Sequence, residues 1–261
     1  MNRVRPSARF LVLTRPCPGK MSYPASASKR AASSNDGMPT EQRINKLRRV
    51  AQSRQAGLTV VIEDVFDPHN LGAISRSCDA FGIQQINVIF ETHPEFDPKE
   101  VGKNSSTATN KWLEYRIHRG TETALRTLKQ EGWELVAAAL DTKAESIFEA
   151  DLCRSQVALL FGNEKTGLSS TALSLADRLV TIPMRGIAQS MNVSVSAALC
   201  IYEVTRQRMA RCPEHLSMAP EQVARTLDYF VEMHEQFGKR NKRLRAGRAK
   251  ERLSKLPNSK M

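Results

Sequence analysis

The chain has 261 residues, enough for one domain of good size with appendages, and its 41% hydrophobic content is ordinary for a soluble protein. No apolar run of about 18 residues occurs, which excludes a membrane-spanning helix, and neither the five cysteines nor the five histidines have metal-site or redox-motif spacing. We therefore expect no membrane and no metal partner, and the scattered cysteines favour a reducing cytoplasm.

The net charge of +12 is concentrated at the two ends of the chain. Residues 1–35 carry seven Lys/Arg and no acid, and residues 239–261 carry ten Lys/Arg and one acid. The stretch between them has a net charge of −4. Such basic tails favour a polyanionic partner, most simply nucleic acid, although tails that only keep the protein soluble are the alternative.

The first 39 residues, rich in Ser, Ala, Pro and Arg, lack an apolar period, which predicts a disordered basic extension. An organellar targeting peptide, or a translation start upstream of the true one, would give the same composition. A helix is expected next, from residue 40 to about residue 57, with Thr40 as its N-cap.

From residue 58 onward, β-branched runs alternate with helical patterns. This alternation predicts an α/β fold with a largely parallel sheet flanked by helices. The predicted strands are Leu58–Val65, Ile86–Phe90, Leu135–Leu140, Val157–Phe161 and Leu179–Met184. The predicted helices are Asn70–Phe81, Thr121–Glu131, Ser169–Ala176, Asn192–Arg208 and Pro220–Phe237, with a basic run, Lys239–Lys255, expected to become helical on a partner.

Three loops that follow strands carry polar residues. In the first, at residues 67–76, Asp67 or Asn70 can cap the next helix, and Arg76 lies about two turns into it. Arg76 on spacing alone could equally be an ordinary solvated residue.

The second loop reads FGNEKTGLS over residues 161–169. It lacks the G-K-[ST] ending of a phosphate-binding P-loop, so that interpretation fails. Gly162 at the carboxyl end of a strand would still let a ligand approach the backbone, and Glu164 could pair with a cation there. A turn whose glycines only permit unusual backbone angles is the alternative.

The third loop reads IPMRGIAQSMN over residues 182–192, between a strand and a helix. Pro183 lacks an N–H and should end the pairing of the strand. The following backbone could hold a small polar ligand. Asn192 is a natural N-cap, and capping alone could explain both Ser190 and Asn192.

Taken in this order and spacing, the three segments resemble the three motifs of the SpoU/TrmH branch of the SPOUT RNA methyltransferases. The matching segments are HNLGAISRSCDAFG (69–82), LLFGNEKTGLS (159–169) and IPMRGIAQSMNVSVSAALCIYEVTRQR (182–208). The resemblance covers roughly residues 40–208, the expected methyltransferase domain, and leaves 209–261 as a basic helical extension. The sequences EKTG and QSMN within these motifs favour the enzymes of this branch that methylate the ribose of guanosine 18 in the D-loop of tRNA.

The resemblance implies an α/β knot fold with a carboxyl-terminal trefoil knot, a homodimer, and S-adenosylmethionine as cofactor. Its motifs place the cofactor at Ala138, Gly162, Ile182, Met184 and Met191. They place the catalytic surface at Asn70, Arg76, Glu164, Ser190 and Asn192. RNA contacts are expected at Arg76 and, from charge alone, at Lys239, Arg240, Lys242, Arg243 and Arg245.

The implied reaction is attack of a ribose 2′-hydroxyl on the sulfonium methyl group. Family accounts make Arg76 the base, yet a guanidinium is effectively always protonated. Our hypothesis is that Arg76 fixes a substrate phosphate and stabilises the developing alkoxide, while that phosphate or a water takes the proton. A ribosomal-RNA ribose methyltransferase and a catalytically silent RNA-binding protein of the same fold are the alternatives.

Overall fold

The computed structural model describes residues 39–101 and 109–254, with side chains up to residue 238. The predicted amino-terminal extension lies outside this range apart from residue 39, as do the side chains of the five basic residues expected to bind RNA between Lys239 and Arg245. No helix in the described ranges is both long enough and apolar enough to cross a membrane. Nor do His, Cys, Asp and Glu side chains cluster there in a group that could hold a metal.

Seven strands form one sheet in which every pairing is parallel, in the order β3-β2-β1-β6-β4-β7-β5. The predicted largely parallel sheet is therefore confirmed. The strands are β1 (Leu58–Glu63), β2 (Gln85–Phe90), β3 (Glu114–Arg119), β4 (Glu134–Ala138), β5 (Glu145–Ser146), β6 (Val157–Phe161) and β7 (Arg178–Thr181).

Helices cover the sheet, and several of them begin at a residue whose side chain caps the helix. Thr40 and Asp67 accept backbone N–H groups at the starts of the first two helices, so Asp67 and not Asn70 caps the second. The helices are α1 (Glu41–Gln52), α2 (Pro68–Ala80), α3 (Thr121–Gln130), α4 (Ser170–Leu175), α5 (Val193–Arg211) and α6 (Pro220–Ser254).

Each face of the sheet has its own apolar core. One core joins the sheet to α2 and α5 through residues such as Leu71, Ile74 and Ile201, all fully buried. The other joins it to α3 and α4, with Leu125 and Leu128 at its centre. Leu58, Val60 and Ile62 of β1 pack into the first core and Val61 packs into the second, which is why the strand is apolar on both faces up to Glu63, except at Thr59.

A small separate cluster pairs α1 with α6. Leu47, Ala51 and Phe230 are buried there, and the ring of Trp112 meets that of Phe230 edge to face at 5.8 Å. The helix α6 runs without a break from this cluster through the basic segment to Ser254. The helix predicted over Lys239–Lys255 is therefore confirmed as far as Ser254, and its dependence on a partner stays a prediction.

Two strands and one disulfide were not predicted from the sequence. β3 lies at the sheet edge and is half-exposed, so it carries Glu114, Arg116 and His118 instead of an apolar run. β5 is only two residues long. Cys153 and Cys212, 59 residues apart, form a disulfide with a Cα–Cα distance of 6.4 Å. Cys78 and Cys200 are buried free thiols, and burial raises the pKa of Cys200 to about 12.

Candidate functional site

A cavity of about 390 Å³ opens where β4, β6 and β7 end. The carboxyl ends of parallel strands are where open α/β sheets bind ligands, and this volume is typical of a small-molecule site. All five residues predicted to hold the cofactor line it: Ala138, Gly162, Ile182, Met184 and Met191. Ala138 ends β4, Gly162 follows β6 and the other three lie in the loop after β7, so the fold brings together residues that are spread over more than fifty positions of the chain.

Gly162 is required by the turn after β6. A Cβ built on it would lie 2.2 Å from the backbone carbon of Gly167 and the backbone nitrogen of Leu168. Asn163 and Gly167 exchange both backbone hydrogen bonds, at 3.0 and 2.9 Å, and Gly167 has φ +72°. The close approach that Gly162 allows is thus between two parts of the same loop, and this packing shapes the cavity wall.

Glu164 braces the start of α2. Its carboxylate accepts the N–H of Phe66 at 2.9 Å, the N–H of Asp67 at 3.1 Å and the amide of Asn70 at 2.7 Å. Burial alone would raise the pKa of Glu164, but these hydrogen bonds outweigh burial and lower the pKa below its usual value. All three contacts come from neutral donors of the protein, and the pairing of Glu164 with a cation of a bound ligand stays a prediction.

Asn192 joins the third loop to the other two. Its Nδ2 donates to Asn70 Oδ1 at 3.0 Å, while its Oδ1 accepts the N–H of Ser194 at 2.8 Å and so caps α5. Asn70 in turn donates to Glu164. A relay of Glu164, Asn70 and Asn192 therefore connects all three segments, and the capping role predicted for Asn192 is confirmed alongside a second role.

The remaining predicted residues lie in the third loop and on α2. Ser190 is exposed and lines the cavity. β7 ends at Thr181, two residues before Pro183 and three residues earlier than predicted. Arg76 lies on the exposed side of α2, two turns beyond the braced first turn.

Several residues of the site were not predicted from sequence. Lys165 and Leu140 line the cavity, and Leu140 is 68% exposed. Asn163 supports Glu164, because its buried Nδ2 donates to the carbonyl of Asp64 at 2.7 Å and its Oδ1 accepts the N–H of Lys165 at 2.8 Å. The local signal was there: Asn163 adjoins both Gly162 and Glu164 in the second motif.

The model of the SpoU rRNA Methylase family matches residues 57–202, which span the whole cavity and the relay. This chain belongs to that family. The tRNA (guanosine(18)-2′-O)-methyltransferase of Thermus thermophilus is 41% identical over 172 residues, 65% of this chain and 85% of the relative. The enzyme of the same name from Escherichia coli strain K12 is 38% identical over 59% of this chain and 66% of its own length.

Solved structures of the family resemble the fold. The Aquifex aeolicus TrmH/SpoU tRNA modifying enzyme superposes with a TM-score of 0.66 at 29% identity, over 74% of this chain and 96% of that one. The SpoU methyltransferase AviRb of Streptomyces viridochromogenes, solved in complex with the cofactor AdoMet, gives a TM-score of 0.52 at 31% identity over 60% of each chain.

Proposed function

We propose that this SpoU-family protein is an S-adenosylmethionine-dependent tRNA ribose 2′-O-methyltransferase that modifies guanosine 18. The observation that carries the proposal is the relay from Glu164 through Asn70 to Asn192 beside the cavity. Relatives that bear this activity in their names support the choice of substrate.

The cavity fits S-adenosylmethionine in size and in chemistry. Gly162 and the apolar side chains of Ala138, Ile182, Met184 and Met191 would hold the cofactor. The bound cofactor supplies an electrophilic methyl group. The relay holds the second and third loops together around the cavity. Ser190 and Asn192, at the mouth of the cavity, orient the ribose so that its 2′-oxygen is aligned for in-line attack.

Arg76 acts on the RNA and not on the cofactor. Its guanidinium stays protonated at neutral pH, so it binds a substrate phosphate through two N–H donors and stabilises the alkoxide that forms as the hydroxyl loses its proton. The proton goes to that phosphate or to a water. Glu164 does not accept it, because its lowered pKa makes the carboxylate a weak base and three donors already occupy its oxygens.

The grip on tRNA would extend to the carboxyl-terminal basic segment. Lys239, Arg240, Lys242, Arg243 and Arg245 fall on the continuous helix α6. Each phosphate contact steepens the dependence of binding on salt. Replacing these five residues with glutamine should therefore make tRNA affinity less dependent on salt concentration. An unchanged salt dependence would show that these residues do not contact RNA phosphates.

A homodimer and a trefoil knot complete the proposal. One face of α5 exposes apolar side chains at helical spacing, namely Val195 (48%), Leu199 (42%), Tyr202 (52%) and Met209 (62%). Such a stripe suits a second copy of the chain. The trefoil knot is proposed from the family to which the chain belongs. The proposed methyltransferase domain spans residues 40–208. A cytoplasmic location stays a prediction.

Incubation with methyl-labelled S-adenosylmethionine tests the function, using total tRNA and ribosomal RNA separately. We expect label in tRNA. Transfer to ribosomal RNA alone would favour the second candidate, which the name of the family supports. Binding without transfer to either RNA would identify a silent RNA-binding protein.

A further inference from the structure

We propose that Phe66, together with Lys165 and His93, forms a platform on which one base of the RNA substrate stacks beside the ribose that receives the methyl group. The inference rests on the proposed function for the identity of the substrate. It concerns three residues that the reaction described above does not use.

Phe66 is exposed, yet held in place. It follows the end of β1, and 54% of its surface is accessible. Its backbone N–H donates to Glu164 at 2.9 Å, and its ring meets His93 edge to face with centroids 5.7 Å apart and planes at 87°. His93 is itself positioned through Thr92, whose hydroxyl lies 3.0 Å from His93 Nδ1 and donates to Asp64 at 2.7 Å. An aromatic ring that contributes little to the core is therefore fixed from its edge and its backbone.

Lys165 supplies a positive charge over one face of this ring. Its Nζ lies 4.3 Å from the Phe66 ring centroid, within the range of a cation–π contact. The Lys165 backbone is fixed by Asn163, and the residue also lines the cavity. The platform and the proposed cofactor site thus share a wall.

The position relative to the relay identifies the occupant. Phe66 and Asn70 donate to the two oxygens of the Glu164 carboxylate. Asn70 also accepts from Asn192, one of the two residues proposed to orient the reacting ribose, so the ring stands beside that site. A base attached to that ribose, or to its neighbour along the strand, falls within reach of the ring. Single-stranded RNA is commonly held by stacking of splayed bases on aromatic side chains, and a lysine beside the ring suits the adjoining phosphate.

A ring that only packs its own loop would have the same contacts with His93 and Lys165. The two interpretations differ in what the ring does for RNA. Loop packing predicts that an apolar replacement of similar size is harmless, whereas stacking requires a flat aromatic face.

The test compares Phe66→Leu, Phe66→Trp and the wild type, with Phe148→Leu as the matched control. Phe148 is also an exposed phenylalanine (68%) and does not line the cavity. We expect Phe66→Leu to weaken equilibrium tRNA binding about tenfold and to raise KM for tRNA, with S-adenosylmethionine binding and the unfolding temperature unchanged. Phe66→Trp should keep the affinity, and its added fluorescence, above that of the two native tryptophans, should be quenched by tRNA.

Equal tRNA affinities for Phe66→Leu and the wild type would overturn the platform while leaving the methyltransferase in place. A change of oligomeric state in Phe66→Leu would also overturn it, since the ring would then serve a protein contact. If the wild type binds tRNA but transfers no methyl group, the proposed function fails, and weakened binding by Phe66→Leu still supports the platform. A wild type that binds no RNA would refute both.

Discussion

Asn192 Nδ2 donates a 3.0 Å hydrogen bond to Asn70 Oδ1, although the two residues are 122 positions apart in the chain. Asn192 also caps α5 through its Oδ1, and Asn70 donates a further hydrogen bond to Glu164. One side chain therefore starts a helix and ties together two loops beside the cavity.

The two roles of Asn192 can be separated by substitution. Aspartate caps helices as well as asparagine does but has no amide donor, so Asn192→Asp should preserve the free energy of unfolding and lower kcat. Asn192→Ala loses both roles and should also lose about 1 kcal/mol of stability. The measurements are urea unfolding and single-turnover methyl transfer. Full turnover by Asn192→Asp would show that the Asn70 contact is unimportant for the reaction.

Arg76→Lys keeps the positive charge of Arg76 and removes its two-pronged donor geometry. Because a point charge cannot replace that fork, we expect kcat to fall by about 100-fold, with S-adenosylmethionine binding unchanged. The check is a pH–rate profile of both enzymes. A lysine variant with nearly full turnover and an unchanged profile would refute the role given to Arg76.

Acid should weaken the brace made by Glu164. Its pKa in the folded protein lies below the ordinary value of about 4.3, so the ionised carboxylate stabilises the fold above that value. The stabilisation is lost as pH falls through the lowered pKa. Unfolding free energies of the wild type and Glu164→Gln should therefore differ most near neutral pH and converge as pH falls through the lowered pKa. A difference that grows on acidification would contradict this sign.

The disulfide between Cys153 and Cys212 closes a covalent ring that contains β6, β7 and the 182–192 loop. Because the two cysteines are 59 positions apart, the chain-entropy model gives a stabilisation of about 4 kcal/mol. A reductant should lower the unfolding midpoint of the wild type and leave that of Cys153→Ser unchanged. Thiol counting in denaturant without reductant should find three free thiols of the five cysteines, and five would show that no disulfide forms.

Prediction from the sequence was most accurate where a local pattern is compatible with a single structural environment. Val157–Phe161 is a fully buried strand and was predicted with its observed bounds, because only a central parallel strand needs a continuous apolar run. The five cavity residues were reached through the motif resemblance, and all five line the cavity.

The sequence failed where tertiary contacts override local character. The polar end of α5 looks solvated, yet Arg208 is fully buried and donates to the carbonyls of Ala56 at 2.6 Å and Gly57 at 2.7 Å. Burial lowers the pKa of Arg208 to about 10, which still leaves it charged at neutral pH. The partners of Arg208 are about 150 residues away in the chain, and the Asp64 carbonyl that accepts from Asn163 is 99 residues away. The local pattern of a helix or a loop contains no information about hydrogen-bond partners so far away in the chain.

The most direct test of the central claim uses a single tRNA transcript and a matched transcript with 2′-deoxyguanosine at position 18. The account predicts one methyl group per wild-type transcript, mapped to the ribose of guanosine 18, and none on the deoxy transcript, because the attacking hydroxyl is missing. Equal methylation of both transcripts, or no methylation of either, would contradict it.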